Sequence, residues 1–139
     1  MDISLVPYCF LKHSADEFSV RLTGTRSSYR EGRVEIFYDG RWGSVCDDSF
    51  DIHAADVVCR QLGFSGAKTY RKSAYYGAGS GIIWLDDVSC VGDETNLASC
   101  THSSFGIHEC THLEDVGVVC EMSLPKGILR FTMIQGGIA

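Results

Sequence analysis

The spacing of hydrophobic and polar positions changes along this chain, and each change marks a predicted element. Val20 and Leu22 alternate with polar neighbours, and Val34, Ile36 and Tyr38 alternate with Arg33, Glu35 and Phe37. That is the period of a strand with one face on a core. Asp39-Gly40 supplies two residues that tolerate positive φ, and Trp42 to Cys46 resumes the strand pattern, which predicts a β-hairpin over Arg33 to Cys46. The period then lengthens. Asp51 can accept hydrogen bonds from the free N–H groups of a following helix, and Ile52, Ala55, Val58, Cys59 and Leu62 form one helical stripe. Gly63 stands where helices commonly end.

Later segments are shorter. Gly77 to Gly81 reads as a loop, and Ile82-Ile83-Trp84-Leu85 as a short buried strand. Asn96 to Ser99 suggests one helical turn, and Val116 to Cys120 a further apolar run. Residues 1–18 show no sustained period and read as an N-terminal extension or linker. One domain is predicted over 19–121, with 122–139 a C-terminal extension of unassigned structure.

Composition narrows the class. Hydrophobic residues at 45% and charged residues at 22% are those of a soluble globular protein, while 15 Gly against 2 Pro indicate many turns. The formal net charge of −6 repels phosphate backbones, and the basic residues are scattered, so no nucleic-acid partner is expected. Seven cysteines argue for an oxidising compartment. No CxxC pair occurs, so Cys46, Cys59, Cys90, Cys100, Cys110 and Cys120 read as a three-bridge framework with fifteen possible pairings, leaving Cys9 over. Residues 1–11 make a poor signal peptide and no run of apolar residues is long enough to span a membrane, so a piece of a longer secreted or membrane-anchored protein is expected.

Five segments together carry a family resemblance. Gly32-Arg33-Val34-Glu35, Trp42-Gly43-Ser44-Val45-Cys46-Asp47-Asp48, Val57-Val58-Cys59-Arg60-Gln61-Leu62-Gly63, Ile83-Trp84-Leu85-Asp86-Asp87-Val88 and His112-Leu113-Glu114-Asp115-Val116-Gly117-Val118 resemble the scavenger receptor cysteine-rich (SRCR) domain in order and spacing. The resemblance runs from about Val20 to Glu121. The two extra cysteines of the eight-cysteine form would fall near Glu31 and Phe64, and neither position is Cys, so the chain is similar to the six-cysteine form. That resemblance implies the pairs Cys46–Cys110, Cys59–Cys120 and Cys90–Cys100. It also implies an α+β fold, a curved antiparallel sheet cradling one main helix, and a role in extracellular or cell-surface recognition rather than catalysis. Family members occur in scavenger and pattern-recognition receptors and beside protease or amine-oxidase domains, with ligands ranging from proteins to glycans and other polyanions.

Candidate site residues follow. Asp47 and Asp48 adjoin Cys46, and Glu114 lies just beyond Cys110, so a Cys46–Cys110 bridge would gather these carboxylates. Clustered carboxylates repel unless a hard cation joins them, and the resemblance implies Ca²⁺ or Mg²⁺ on Asp47, Asp48 and Glu114. Asp51 with Asp56, or Asp86 with Asp87, could form a second metal site. Arg60, Arg71, Lys72, Tyr75, Tyr76 and Phe105 are possible ligand contacts. His108-Glu109-Cys110-Thr111-His112 matches the HExxH of zinc proteases literally, but such chemistry needs a helix, whereas Gly106 precedes the segment, a strand-like run follows and Cys110 is wanted by a disulfide. No enzymatic activity is expected.

Overall fold

A computed structural model describes residues 15–122 of the chain. Cys9 and most of both expected extensions lie outside the described residues. Six strands and one α-helix follow in the order β1 (Val20–Ser28), β2 (Glu31–Tyr38), β3 (Arg41–Val45), α1 (Ile52–Gln61), β4 (Ala67–Arg71), β5 (Ile82–Leu85) and β6 (Gly117–Cys120). Short 3₁₀ turns occupy Leu97–Ser99 and His112–Glu114.

The hairpin forms as its pattern requires. Asp39 and Gly40 both take positive φ, 50° and 78°, the combination of a two-residue turn whose twist suits flanking strands. β2 and β3 then pair antiparallel from Tyr38↔Arg41 to Glu35↔Ser44. The strand order is β4-β6-β2-β3-β5, with β1 also on β2. One pairing departs from the expected antiparallel sheet. β3 and β5 run parallel, the long connection between them carrying α1 and β4.

Helix α1 packs against β4 and β6. Asp51 caps it by accepting from the N–H groups of His53 and Ala54, and Gly63 follows its end with φ 98°. The stripe is rotated from the expected one. Ala54, Ala55, Val57, Val58 and Cys59 are buried, whereas Ile52, the first residue of the helix, is exposed. These residues join Val34, Ile36, Val45, Phe50, Leu85, Val88, Leu97, Val116 and Val118 in one core. Each fully buried Val or Leu contributes about 1.5–3 kcal/mol. Phe18 packs on that core and donates its N–H to the Phe37 carbonyl, so the packed structure begins just before the predicted boundary.

All three disulfides pair as the resemblance implies. Cys59–Cys120 ties α1 to the end of β6 inside the core, both residues fully buried. Cys46–Cys110 ties the end of β3 to the loop before β6, and Cys90–Cys100 closes a short loop.

Candidate functional site

Backbone pairing brings two acidic segments together. Val116 donates to the Val45 carbonyl, Asp47 donates to the Glu114 carbonyl at 2.8 Å, and Cys46 bridges to Asp115. The Thr111 side chain caps the 112–114 turn while Glu114 reaches back to the Thr111 N–H, which fixes the Glu114 carboxylate beside the disulfide. Glu114 Oε1 lies 3.5 Å from Cys46 Sγ, and Asp48 Oδ2 lies 3.8 Å from Cys110 Sγ. Those sulfurs are bonded to each other, so the donors left to a cation are the two carboxylates.

Asp48 also belongs to a second set. One carboxylate oxygen each from Asp48, Asp86 and Asp87 lies within 4.8 Å of the others. The surrounding cavity is lined by Asp48, Asp86, Asp87, Ile107, His108 and Glu109, with Ser103. Asp86 is only 6% exposed and accepts from the Asp87 N–H at 2.8 Å. Burial, partly offset by that hydrogen bond, holds its pKa above the ordinary carboxylate range, and the negative charges of Asp87 and Asp48 push the same way. Such a site has the donor chemistry for a hard divalent cation, which would remove the repulsion among its carboxylates.

The geometry regroups the candidates. Asp48 and Glu114 meet as expected, but Asp47 turns inward and accepts from the Ser73 N–H at 2.9 Å. Asp51 is spent as the helix cap, and Asp56 accepts from the Ala67 N–H at 2.8 Å, so neither joins Asp86 and Asp87. Of the expected ligand contacts, Tyr76 belongs to the interior and Phe105 is partly buried against it. Tyr76 is 1% exposed and donates its hydroxyl to Glu31 at 2.7 Å; burial first and the Glu31 carboxylate second push its pKa up to about 12. Phe105 stacks on Tyr38 at 3.9 Å and packs on the core. Arg60 is exposed and donates to the Gly92 carbonyl, while Arg71, Lys72 and Tyr75 lie near one another at the surface end of β4.

The HExxH residues form no helix and face different ways. His108 lines the acidic cavity, Cys110 is bridged, and His112 faces Asp115 and Gly81. Ser44, His112 and Asp115 are close enough to resemble a hydrolytic triad. However, the Ser44 hydroxyl is buried and donates to Asp115 at 2.8 Å, and although His112 Nδ1 lies 3.4 Å from that hydroxyl, Nδ1 meets the Asp115 carboxylate at 2.8 Å and Nε2 the Gly81 carbonyl at 2.7 Å, so both ring nitrogens face acceptors and neither is free to take the Ser44 proton.

A sequence profile of the Scavenger receptor cysteine-rich domain matches residues 24–121. The chain belongs to the scavenger receptor cysteine-rich family. Among curated relatives, human Lysyl oxidase homolog 2 is 54% identical over 104 residues, covering 75% of this chain and 13% of that protein. Bovine Lysyl oxidase homolog 4 is 50% identical over 82% of this chain and 15% of its own length. The chain therefore spans a small part of the curated relatives it matches. Among solved structures, the third SRCR domain of murine neurotrypsin aligns with a TM-score of 0.67 and 44% identity, over 75% of this chain and 96% of that one. The SRCR domain of mouse MARCO in its dimeric form aligns with a TM-score of 0.62 and 45% identity, over 73% and 94%. The SRCR domain is a non-catalytic module, consistent with the scattered HExxH residues.

Within this SRCR domain, the Asp115 carboxylate is a hub that the acidic-cluster reading did not single out. It is 1% exposed and takes donors from Ser44, Gly79 and His112. Partial burial disfavours the charged form of His112, but the Gly81 carbonyl and Asp115 carboxylate outweigh it and raise its pKa above 6.5. A raised histidine pKa contributes stability that is complete below the unfolded value and lost as pH rises through the folded one. Urea midpoints of the native chain should therefore fall as the pH rises above about 6.5, and His112→Gln should flatten that part of the profile. An unchanged slope in His112→Gln would mean other groups cause it.

Proposed function

We propose that this domain is an extracellular recognition module that engages anionic protein, glycan or microbial-surface ligands through a Ca²⁺- or Mg²⁺-assisted face. The supporting observation is Asp86, a carboxylate nearly excluded from water and placed against Asp48 and Asp87 at the rim of an open cavity. Asp48 and Glu114 would hold one cation beside the Cys46–Cys110 bridge, and Asp48, Asp86 and Asp87 another. A bound cation would offset the carboxylate charge and turn its open coordination positions toward solvent, where an anionic group could ligate it. Three disulfides fit an oxidising compartment, and no helix among the described residues is long and apolar enough to cross a membrane.

Calorimetric titration tests the reading. Ca²⁺ or Mg²⁺ should bind the native chain at submillimolar to millimolar concentration, the range of extracellular modules. Asp48→Asn combined with Glu114→Gln, and separately Asp86→Asn combined with Asp87→Asn, should each weaken binding at least about tenfold. Absence of heat from the native chain at millimolar cation would end the proposal.

A second reading rests on the relatives. The similarity to Lysyl oxidase homologs 2 and 4 supports a non-catalytic structural or targeting module of a longer lysyl oxidase-like or protease-bearing protein. A full-length transcript encoding an amine-oxidase or protease domain would favour it, and one encoding further recognition modules alone would count against it.

A further inference from the structure

Two apolar side chains adjoin the proposed cation sites without being ligands. Most large hydrophobic residues of the domain are buried, yet Ile107 is 65% exposed and Leu113 71%. They are placed evenly about the bridged Cys110, Ile107 three residues before it and Leu113 three after. Ile107 lines the acidic cavity with Asp48, Asp86 and Asp87. Leu113 directly precedes Glu114, whose carboxylate comes within 4.8 Å of that of Asp48. Scattered exposed leucines and isoleucines are ordinary on a protein surface, but two beside one group of carboxylates call for an account.

The turns that carry these residues are pinned, which keeps both at the surface. Gly106, in left-handed backbone at φ 82°, donates to the Trp84 carbonyl at 2.8 Å, and Ile107 donates to the Ser104 carbonyl at 2.9 Å. Cys110 donates its N–H to His108 Nδ1 at 3.0 Å while its sulfur is bonded to Cys46. Beyond the bridge, Leu113 donates to Thr111 Oγ1 at 3.2 Å and Glu114 to the Thr111 carbonyl at 2.9 Å. Backbone already held in this way has little freedom left to lose when a partner covers it. Asp86 points to a ligand independently. It lines the cavity at only 6% exposure, and among the described residues the one donor to its carboxylate is the Asp87 N–H, so its second oxygen is left for a ligand.

Resting on the cation-assisted reading above, we propose that Ile107 and Leu113 are the anchors of a protein-docking surface whose partner is a peptide segment with one carboxylate between large apolar side chains. The carboxylate would fill an open coordination position of the cation, since hard cations take oxygen donors. Its apolar neighbours would cover Ile107 and Leu113 and remove them from water, as apolar side chains do at the centre of a protein interface. Charge argues against a polyanion. A single divalent ion leaves an excess of negative charge among Asp48, Asp86, Asp87, Glu109 and Glu114, and the whole chain carries −6, so further anionic groups on a ligand would be repelled. Acidic glycans repeat their charges and bring hydroxyls, not apolar side chains, to Ile107 and Leu113. The two apolar residues thus set the choice of partner, and the cation supplies the polar hold.

A displayed library of random peptides is the probe, selected on the native chain in millimolar Ca²⁺ or Mg²⁺. Selected peptides should carry one aspartate or glutamate flanked by leucine, isoleucine or phenylalanine, and a chelator should release them. Leu113→Ser, a surface change, should bind them at least about fivefold more weakly with its melting temperature and calorimetric cation affinity kept. Adding Ile107→Ser should bring the loss to about tenfold or more, and Leu113→Met, which keeps an apolar side chain, should bind like the native chain. The two readings fail differently. A native chain that gives no heat with either cation removes the cation-assisted reading and this one with it. This proposal alone is overturned if the cation binds normally but Leu113→Ser with Ile107→Ser holds the selected peptides as tightly as the native chain, if those peptides are acidic runs without apolar neighbours, or if heparin is captured while no peptide is selected.

Discussion

Replacing Cys59 and Cys120 by alanine is expected to cost about 2–5 kcal/mol and to leave little folded chain at 37 °C. The bridge spans 61 positions and joins the last turn of the only α-helix among the described residues to the last residue of β6, with both cysteines at 0% exposure. Its loss frees much of the unfolded chain and also opens a hole where α1 meets the sheet. Domains of this size typically have about 5–15 kcal/mol to lose. Cys90–Cys100 spans 10 positions and should matter less, because a short loop constrains fewer unfolded conformations. Urea unfolding of the double variant beside the native chain provides the measurement. A difference under about 1 kcal/mol would show that the apolar core holds the fold without this staple.

Gly117→Ala should be nearly as damaging, by about 2–3 kcal/mol or more. A Cβ at Gly117 would fall 2.3 Å from Tyr76 Cδ2 and 2.8 Å from the Gly32 carbonyl oxygen. Neither neighbour can yield cheaply. Tyr76 is buried with its hydroxyl on Glu31, and Gly32 is the registered partner of Val118 in the β2–β6 ladder. Gly81→Ala is a suitable control, since its nearest contact would be 3.9 Å away. Equal melting temperatures for Gly117→Ala and the native chain would mean that the β6–Tyr76 packing is looser than described.

The elements that could be read from sequence are those with a clean local rule. The Asp39-Gly40 hairpin, the Asp51 cap, the Gly63 helix end and the Ile82–Leu85 strand each carry turn chemistry or a period of their own. β4 carries neither. Its register with β6 shifts between Ala67 and Thr69, so the alternation that would reveal a strand is broken within five residues. The parallel pairing of β3 with β5 depends on where a long connection returns, which no local pattern records. At the site, the Cys46–Cys110 link was enough to place Asp48 beside Glu114. It could not show that Asp47, one residue earlier, points inward to hold Ser73, or that Asp86 and Asp87 come up beside Asp48. Tyr76 and Phe105 sit in irregular segments, where nothing in the spacing distinguishes a side chain that folds into the core from one that faces solvent.

The placement of β1 and β6 has a mechanical consequence. Both run antiparallel to β2, with Val20 opposite Ile36 near one end of β2 and Val119 opposite Glu31 at the other. Tension applied at Val20 and Cys120 would pull the two strands in opposite directions along β2, loading their ladder hydrogen bonds together in shear instead of opening them one at a time. The Cys59–Cys120 bond would pass part of that load into the helix. The loops bearing Asp48 and Asp86 belong to none of these three strands, so a stretched domain would keep the proposed cation-binding face shaped until the β1–β2–β6 ladder gave way.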